Sequence, residues 1–284
     1  MSASVDTSIL LKKNPSLIPS LVRLLTLPRK GGELPRLSLV QTQMDIDQQT
    51  LKKYRQLFDL ESSGLPILFP HVLLGTHHLY LLGHPDFPLS LLGAVHTQNR
   101  IVQHTPMAAN IAFQIELSLG QLRQGQGQLE FDLHTRAYQN NQLVWEELSV
   151  FKQRAKKISG NDPSPLSIES LKDYDEVARW KIDNQLGKSY AKICRDFNPI
   201  HVSSLLARIF GMPKAVAHGM AVLAQACRYG ESRVRPYPRN LDVIFKGPVP
   251  LGSLVKLVRS RQEPARLDLY VEGNQRPVIC IHDH

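Results

Sequence analysis

Residues 190–201, Tyr-Ala-Lys-Ile-Cys-Arg-Asp-Phe-Asn-Pro-Ile-His, carry the side chains best suited to proton transfer. Asp196 and His201 flank the dipeptide Asn198-Pro199. Asn caps free backbone N–H groups, and Pro is tolerated at the first helical position, so a helix is expected to start at Pro199. His201 then falls in its first turn, and Asp196 lies on the incoming loop. A carboxylate and an imidazole aimed at one water molecule make a general acid/base pair. Spacing alone is a weak signal, because an Asp and a His five residues apart arise often by chance.

Downstream, residues 215–227 are apolar almost all round, interrupted by His218 and Gln225. A helix without a polar face is usually buried. Gly219 near its start permits close approach of a ligand to the backbone. A free N–H there is a ready donor to a developing oxyanion. A histidine on such an apolar helix is more often structural than catalytic, which is the weightier reading of His218 taken alone.

These groups need elements to hold them. Residues 37–46 read as a strand, and Leu51, Tyr54 and Phe58 give helical spacing after Gln48. A further helix is expected over 71–82. Period-two alternation then marks strands at 113–119, 129–133 and 143–151. The second half repeats the plan. Helical segments at 199–210 and 218–229 precede strands at 241–245, 254–261, 267–271 and 276–282. The shared order suggests two copies of one α+β unit, roughly 150 residues apart. The expected division is a lead-in over 1–36, a first domain over 37–157, a linker over 158–176 and a second domain over 177–284.

The 284 residues are 42% hydrophobic and 21% charged, an ordinary globular composition. No apolar run approaches the ~18 residues of a membrane span. Lys12 and Lys13 interrupt the short apolar run at the amino terminus, which argues against a secretory signal. Three cysteines, Cys194, Cys227 and Cys280, lack metal-ligand spacing, so reduced thiols in a cytoplasmic protein are expected. Lys and Arg number 34 against 25 Asp and Glu, a surface that attracts anions. No basic run with interleaved aromatics points to nucleic acid. A phosphorylated small molecule or an acidic carrier protein fits the charge as well. His282, Asp283 and His284 match no strong metal site, and a frayed terminus is expected there.

Taken together, Tyr190-Ala191, Asp196-Phe197-Asn198-Pro199-Ile200-His201, Phe210-Gly211 and Ala217-His218-Gly219-Met220 resemble the signature of the MaoC-like dehydratases, the (R)-specific enoyl-CoA hydratases or hydratase 2. Phe245-Lys246-Gly247-Pro248-Val249 with Leu251-Gly252 resembles the block that follows in that family. The match runs over about 190–252. It implies a hot-dog fold, a central helix wrapped by a curved antiparallel sheet. Longer members fuse two such units, and Phe69-Pro70-His71 and Gly93-Ala94-Val95-His96 resemble their degenerate first unit. The first half has no counterpart of Asp-x-Asn-Pro-x-His, so one active site per chain is implied.

The resemblance implies syn addition of water to a trans-2-enoyl thioester of coenzyme A or acyl carrier protein, giving an (R)-3-hydroxyacyl thioester, and its reverse. Asp196 and His201 are the implied catalytic pair, with the division of labour open. The Gly219 N–H is the implied oxyanion donor. Asn198, Tyr190 and His218 are implied to shape the site. No metal and no cofactor beyond the thioester carrier are implied. Arg195 and Lys246 are candidates for the substrate phosphates, and Arg259 and Arg261 are further basic candidates. Cys194-Arg195 replaces the family's usual Ser-Gly, placing a cation beside the carboxylate where glycine would tolerate positive φ. Rival readings are an acyl-CoA thioesterase, a non-catalytic acyl-thioester-binding protein and a nucleic-acid binder. Self-association, including a homodimer, stays open.

Overall fold

The computed structural model describes residues 6–26, 32–60, 64–89, 93–125, 127–154, 170–230, 237 and 239–284. The chain forms two compact units, residues 1–46 with 70–165 and residues 47–69 with 166–284.

Unit 1 begins with β1 (Asp6–Leu11) and α1 (Leu17–Thr26), then β2 (Arg36–Met44). The chain leaves it for α2 (Gln48–Phe58) and returns through α3 (Phe69–Leu73) and α4 (Gly75–Leu82). Four strands follow: β3 (Val95–Gln103), β4 (Phe113–Gly125), β5 (Gln128–Gln139) and β6 (Gln142–Arg154). The strand order is β1-β2-β4-β5-β6-β3, antiparallel except for the parallel β1–β2 pair. Leu82, Phe87, Leu89 and Phe131 form part of its core. Asn140 and Asn141, both at positive φ, make the β5–β6 turn, as their short polar side chains allow.

Unit 2 holds α2 and β7 (Tyr174–Lys181), then α5 (Leu186–Cys194), α6 (Pro199–Val202), α7 (Ser204–Ile209) and α8 (Gly219–Gly230). It ends with β8 (Arg239–Phe245), β9 (Leu254–Ser260), β10 (Arg266–Val271) and β11 (Ile279–Asp283). Its antiparallel strands run in the order β8-β11-β10-β9-β7. Ala221, Val222, Leu223, Ala224 and Ala226 of α8 are almost fully buried, as its apolar composition requires. Gln225 is accommodated because its Oε1 accepts from the Trp180 indole at 3.1 Å.

The division differs from the expected one. Residues 47–69 belong to unit 2, where α2 buries Leu51, Tyr54 and Phe58 and the Phe58 ring meets that of Tyr190 edge-on. Part of the expected lead-in is ordered structure, since β1 pairs with β2 and α1 packs on α4. Of the expected linker, 158–169 lie outside the described residues and β7 begins at Tyr174. The helix expected over 199–210 is two. Ser203 takes an extended conformation, φ −145°, and caps the second with its own hydroxyl. The terminus is not frayed: β11 lies between β8 and β10, and Asp283 takes a two-oxygen ion pair from Arg239 at 3.0–3.1 Å. No helix among the described residues is long and apolar enough to cross a membrane. Cys194, Cys227 and Cys280 are buried and form no disulfide.

Candidate active site

Helix α5 ends at Arg195, whose left-handed backbone (φ 64°) turns the chain and donates its N–H to Ala191 O at 2.9 Å. Asp196 Oδ1 then accepts from the Asn198 N–H at 3.0 Å. Asn198 Oδ1 accepts from the Ile200 N–H at 3.3 Å and starts α6, with Pro199 in the first turn. These short-range bonds are the ones the Asp-x-Asn-Pro order favours. They leave Asp196 Oδ2 free of the loop, on a side chain that is half exposed.

His201 is oriented from the far side. Its Nδ1 lies 2.9 Å from Val216 O, a carbonyl that only accepts. Nδ1 therefore carries the proton and Nε2 presents a lone pair. Val216 is itself held, its N–H donating to Ile200 O at 3.0 Å. Gly187 completes the support. A β-carbon there would lie 2.0 Å from the His201 carbonyl oxygen, so only glycine lets α5 approach this closely.

His218 sits beneath both residues. Its ring stacks on that of His201 with centroids 3.7 Å apart, and the Tyr190 ring lies 5.0 Å away. Its Nε2 donates to Asp196 O at 3.1 Å and lies 3.6 Å from Asp196 Oδ2. Asp196, His201 and His218 bring one polar atom each within 4.8 Å of one another. That spacing also suits a divalent cation, and these three are where one would bind.

Burial lowers the His201 pKa, opposed by Asp196 and by the Val216 carbonyl. Burial, with the neighbouring His201, pushes His218 down to about 4. Both imidazoles are therefore neutral at pH 7. Burial and Asp196 push the Cys194 thiol up to about 12, which leaves it unreactive.

Gly219 opens α8, so its N–H is one of the first-turn donors without an intrahelical partner. A β-carbon at Gly219 would meet the Phe245 ring at 2.8 Å, so the strand packs directly on this backbone. The structure thus gathers Asp196, His201, His218 and Tyr190, with Asn198 setting the loop. It does not gather the basic candidates. Arg195 is exposed. Lys246 lies just past the end of β8 and is exposed, with its charge reaching Cys280. Arg261 is paired with Asp173 and Asp175. Arg259 donates to Pro264 O at 3.1 Å. Gly187, the Val216 carbonyl and the engagement of His218 with Asp196 were not evident from spacing. A glycine inside a helical stretch was the one available signal for Gly187.

Residues 170–272 match the model of the MaoC-like domain family. The chain is 28% identical over 229 residues to the 3-hydroxyacyl-thioester dehydratase X of Mycobacterium tuberculosis, covering 80% of this chain and 81% of that protein. The crystal structure of HtdX from that organism aligns with a TM-score of 0.74 at 25% identity, over 87% of this chain and 98% of that one. A MaoC-like dehydratase from Phytophthora capsici aligns at TM-score 0.68 and 14% identity, over 92% and 97% of the two chains. A Mycobacterium tuberculosis protein described as a double hot-dog fold aligns at TM-score 0.55 and 9% identity, over 92% and 96%. The fold class is α+β, a double hot-dog. The residues that match the MaoC-like domain family model lie in unit 2.

Proposed function

We propose that the protein is a hydro-lyase of fatty acid metabolism, an (R)-specific enoyl-thioester hydratase and 3-hydroxyacyl-thioester dehydratase. The observation that carries this is the convergence of Asp196 and His201, whose Oδ1 and Nδ1 are taken up by backbone groups, with His218, the residue that precedes the Gly219 N–H at the start of α8. The similarity to the 3-hydroxyacyl-thioester dehydratase X supports the same reading.

In the hydration direction, Asp196 Oδ2 and His201 Nε2 hold the two hydrogens of one water. The water oxygen forms the C3–O bond as one proton passes to His201 Nε2, and the carboxylate steadies the resulting imidazolium. The electron pair of the double bond moves toward the thioester oxygen, which the Gly219 N–H receives. The proton then returns from the imidazolium to C2 on the face from which it came, so addition is syn. Both side chains end as they began. His218 fixes the Asp196 carbonyl without exchanging protons. No step requires a metal, because the thioester acidifies the α position.

The test is an absorbance assay with crotonyl-, octenoyl- and dodecenoyl-CoA. Hydration is expected with no free thiol released and no change on chelation. Asp196→Asn and His201→Ala are each expected to lower turnover by at least ~10²-fold while the protein stays folded. Thiol release from wild type, or undiminished hydration by either variant, would remove the proposal.

A further inference from the structure

Beside Asp196 the surface changes character. Phe197, Leu205, Leu206, Ile209 and Phe210 are all large, apolar and exposed, with Leu205 and Ile209 more than 70% accessible. They lie on the loop before α6 and on α7, whose inward face holds only Ala207 buried. Scattered apolar residues need no explanation, but Leu205, Leu206, Ile209 and Phe210 crowd one short helix and its C-cap, and such a group marks an interaction site.

The frame is cationic. From residue 184 to 230 Asp196 is the only acidic residue. Lys188, Lys192, Arg195, Arg208 and Lys214 are exposed in the same stretch, and none forms an ion pair with another of the described residues. Arg208 reaches the Pro213 carbonyl at 3.5 Å, which places it next to Lys214.

We propose that this face docks an acidic acyl carrier protein and that the enoyl group is delivered to the site on that carrier; the proposal rests on the hydratase reading. The charge pattern selects the occupant. An apolar centre with a basic rim complements an acidic protein. A second copy docking through the same face would set cation against cation. A six-residue helix has little apolar area to bury in a membrane interface, and binding there scales with that area. Position selects the purpose, because the patch begins at the residue that follows the catalytic carboxylate.

The experiment compares one enoyl group on a purified acidic acyl carrier protein and on coenzyme A. The variants are Leu205→Ser with Ile209→Ser, and Arg208→Glu with Lys214→Glu. Each pair is expected to lower kcat/KM on the carrier-borne substrate by about 10-fold or more, mainly through KM, with coenzyme A turnover within about 2-fold of wild type. Rising salt should weaken the carrier reaction of wild type and of the Leu205/Ile209 pair, and weaken it less in the Arg208/Lys214 pair. Undiminished carrier turnover by both variant pairs overturns the proposal, as does equal loss on both substrates. A wild type that hydrates only the coenzyme A thioester also overturns it, and leaves the hydratase reading intact. If wild type hydrates neither, the hydratase reading falls. Anisotropy of a labelled carrier at low salt then decides docking, and no binding ends it. Conversion of a dimer to monomer by the variants, or their loss of wild-type binding to anionic phosphatidylglycerol vesicles, would assign the face elsewhere.

Discussion

Each unit pairs an imidazole with a carboxylate, and the two pairs are built for opposite ends. In unit 1, His71 Nδ1 lies 2.7 Å from Glu147 Oε1, with the Glu147 side chain wholly buried. Asn99 donates to the same oxygen at 2.6 Å and to Ser149 at 3.1 Å. His96 stacks on His71, and His78 meets it edge-on. Burial alone would raise the Glu147 pKa. The charge and hydrogen bond of His71, with His78 and Asn99, instead bring it to about 2. In unit 2, the Asp196 side chain is half exposed, and its carboxylate and the His201 ring are each held through one atom and left open at the other. An acid and a base bound to each other have no capacity for a substrate. Separate anchoring leaves both free to share a water.

Exchanging the two lesions tests this contrast most strongly. His201→Ala should abolish turnover and leave the urea midpoint near wild type. His71→Ala should leave a buried carboxylate unpaired and destabilise unit 1 by about 3–5 kcal/mol, with little change in turnover per folded molecule. Equilibrium unfolding beside the hydration assay separates them, and a swap of phenotypes would reverse the assignment.

Acid should act next. Burial lowers His77 and His96 to about 4 and His78 to about 3. These groups are neutral when folded and take up protons when unfolded, so their stabilisation is present above about pH 6.5 and is lost as pH falls toward 4. Unit 1 should lose a few kcal/mol over that range. Buried Trp145 reports on it once Trp180→Phe removes the other tryptophan. A flat urea midpoint between pH 7 and 5 would contradict this. Activity should hold further into acid than the ordinary imidazole range, because the His201 pKa is lowered.

Two smaller changes sharpen the geometry. Gly187→Ala forces α5 away from the His201 carbonyl and should cost about 1–3 kcal/mol of stability, with kcat falling more than KM rises. Arg195→Gly relieves a left-handed non-glycine residue. Its expected gain is below about 1 kcal/mol, since glycine is also freer when unfolded, and thermal unfolding measures it.

The amino-acid sequence alone determined the loop chemistry of residues 196–201. The Asp196 and Asn198 turns and the Pro199 helix start close bonds only two residues long, so local residue order decides them. It also determined the burial of α8, because an apolar circumference has no other stable place. Strand existence was legible wherever one face is buried and period two appears, as in β4. Tertiary structure alone decided which atoms face the water. The His201 tautomer depends on a carbonyl fifteen residues on, and His218 reaches Asp196 across twenty-two. The Glu147 pair spans seventy-six, and the buried face of β6 gives no sign of its partner. Residues 47–69 join unit 2 for the same reason. Burial free energy depends on which surface the chain meets, and no local pattern records that choice.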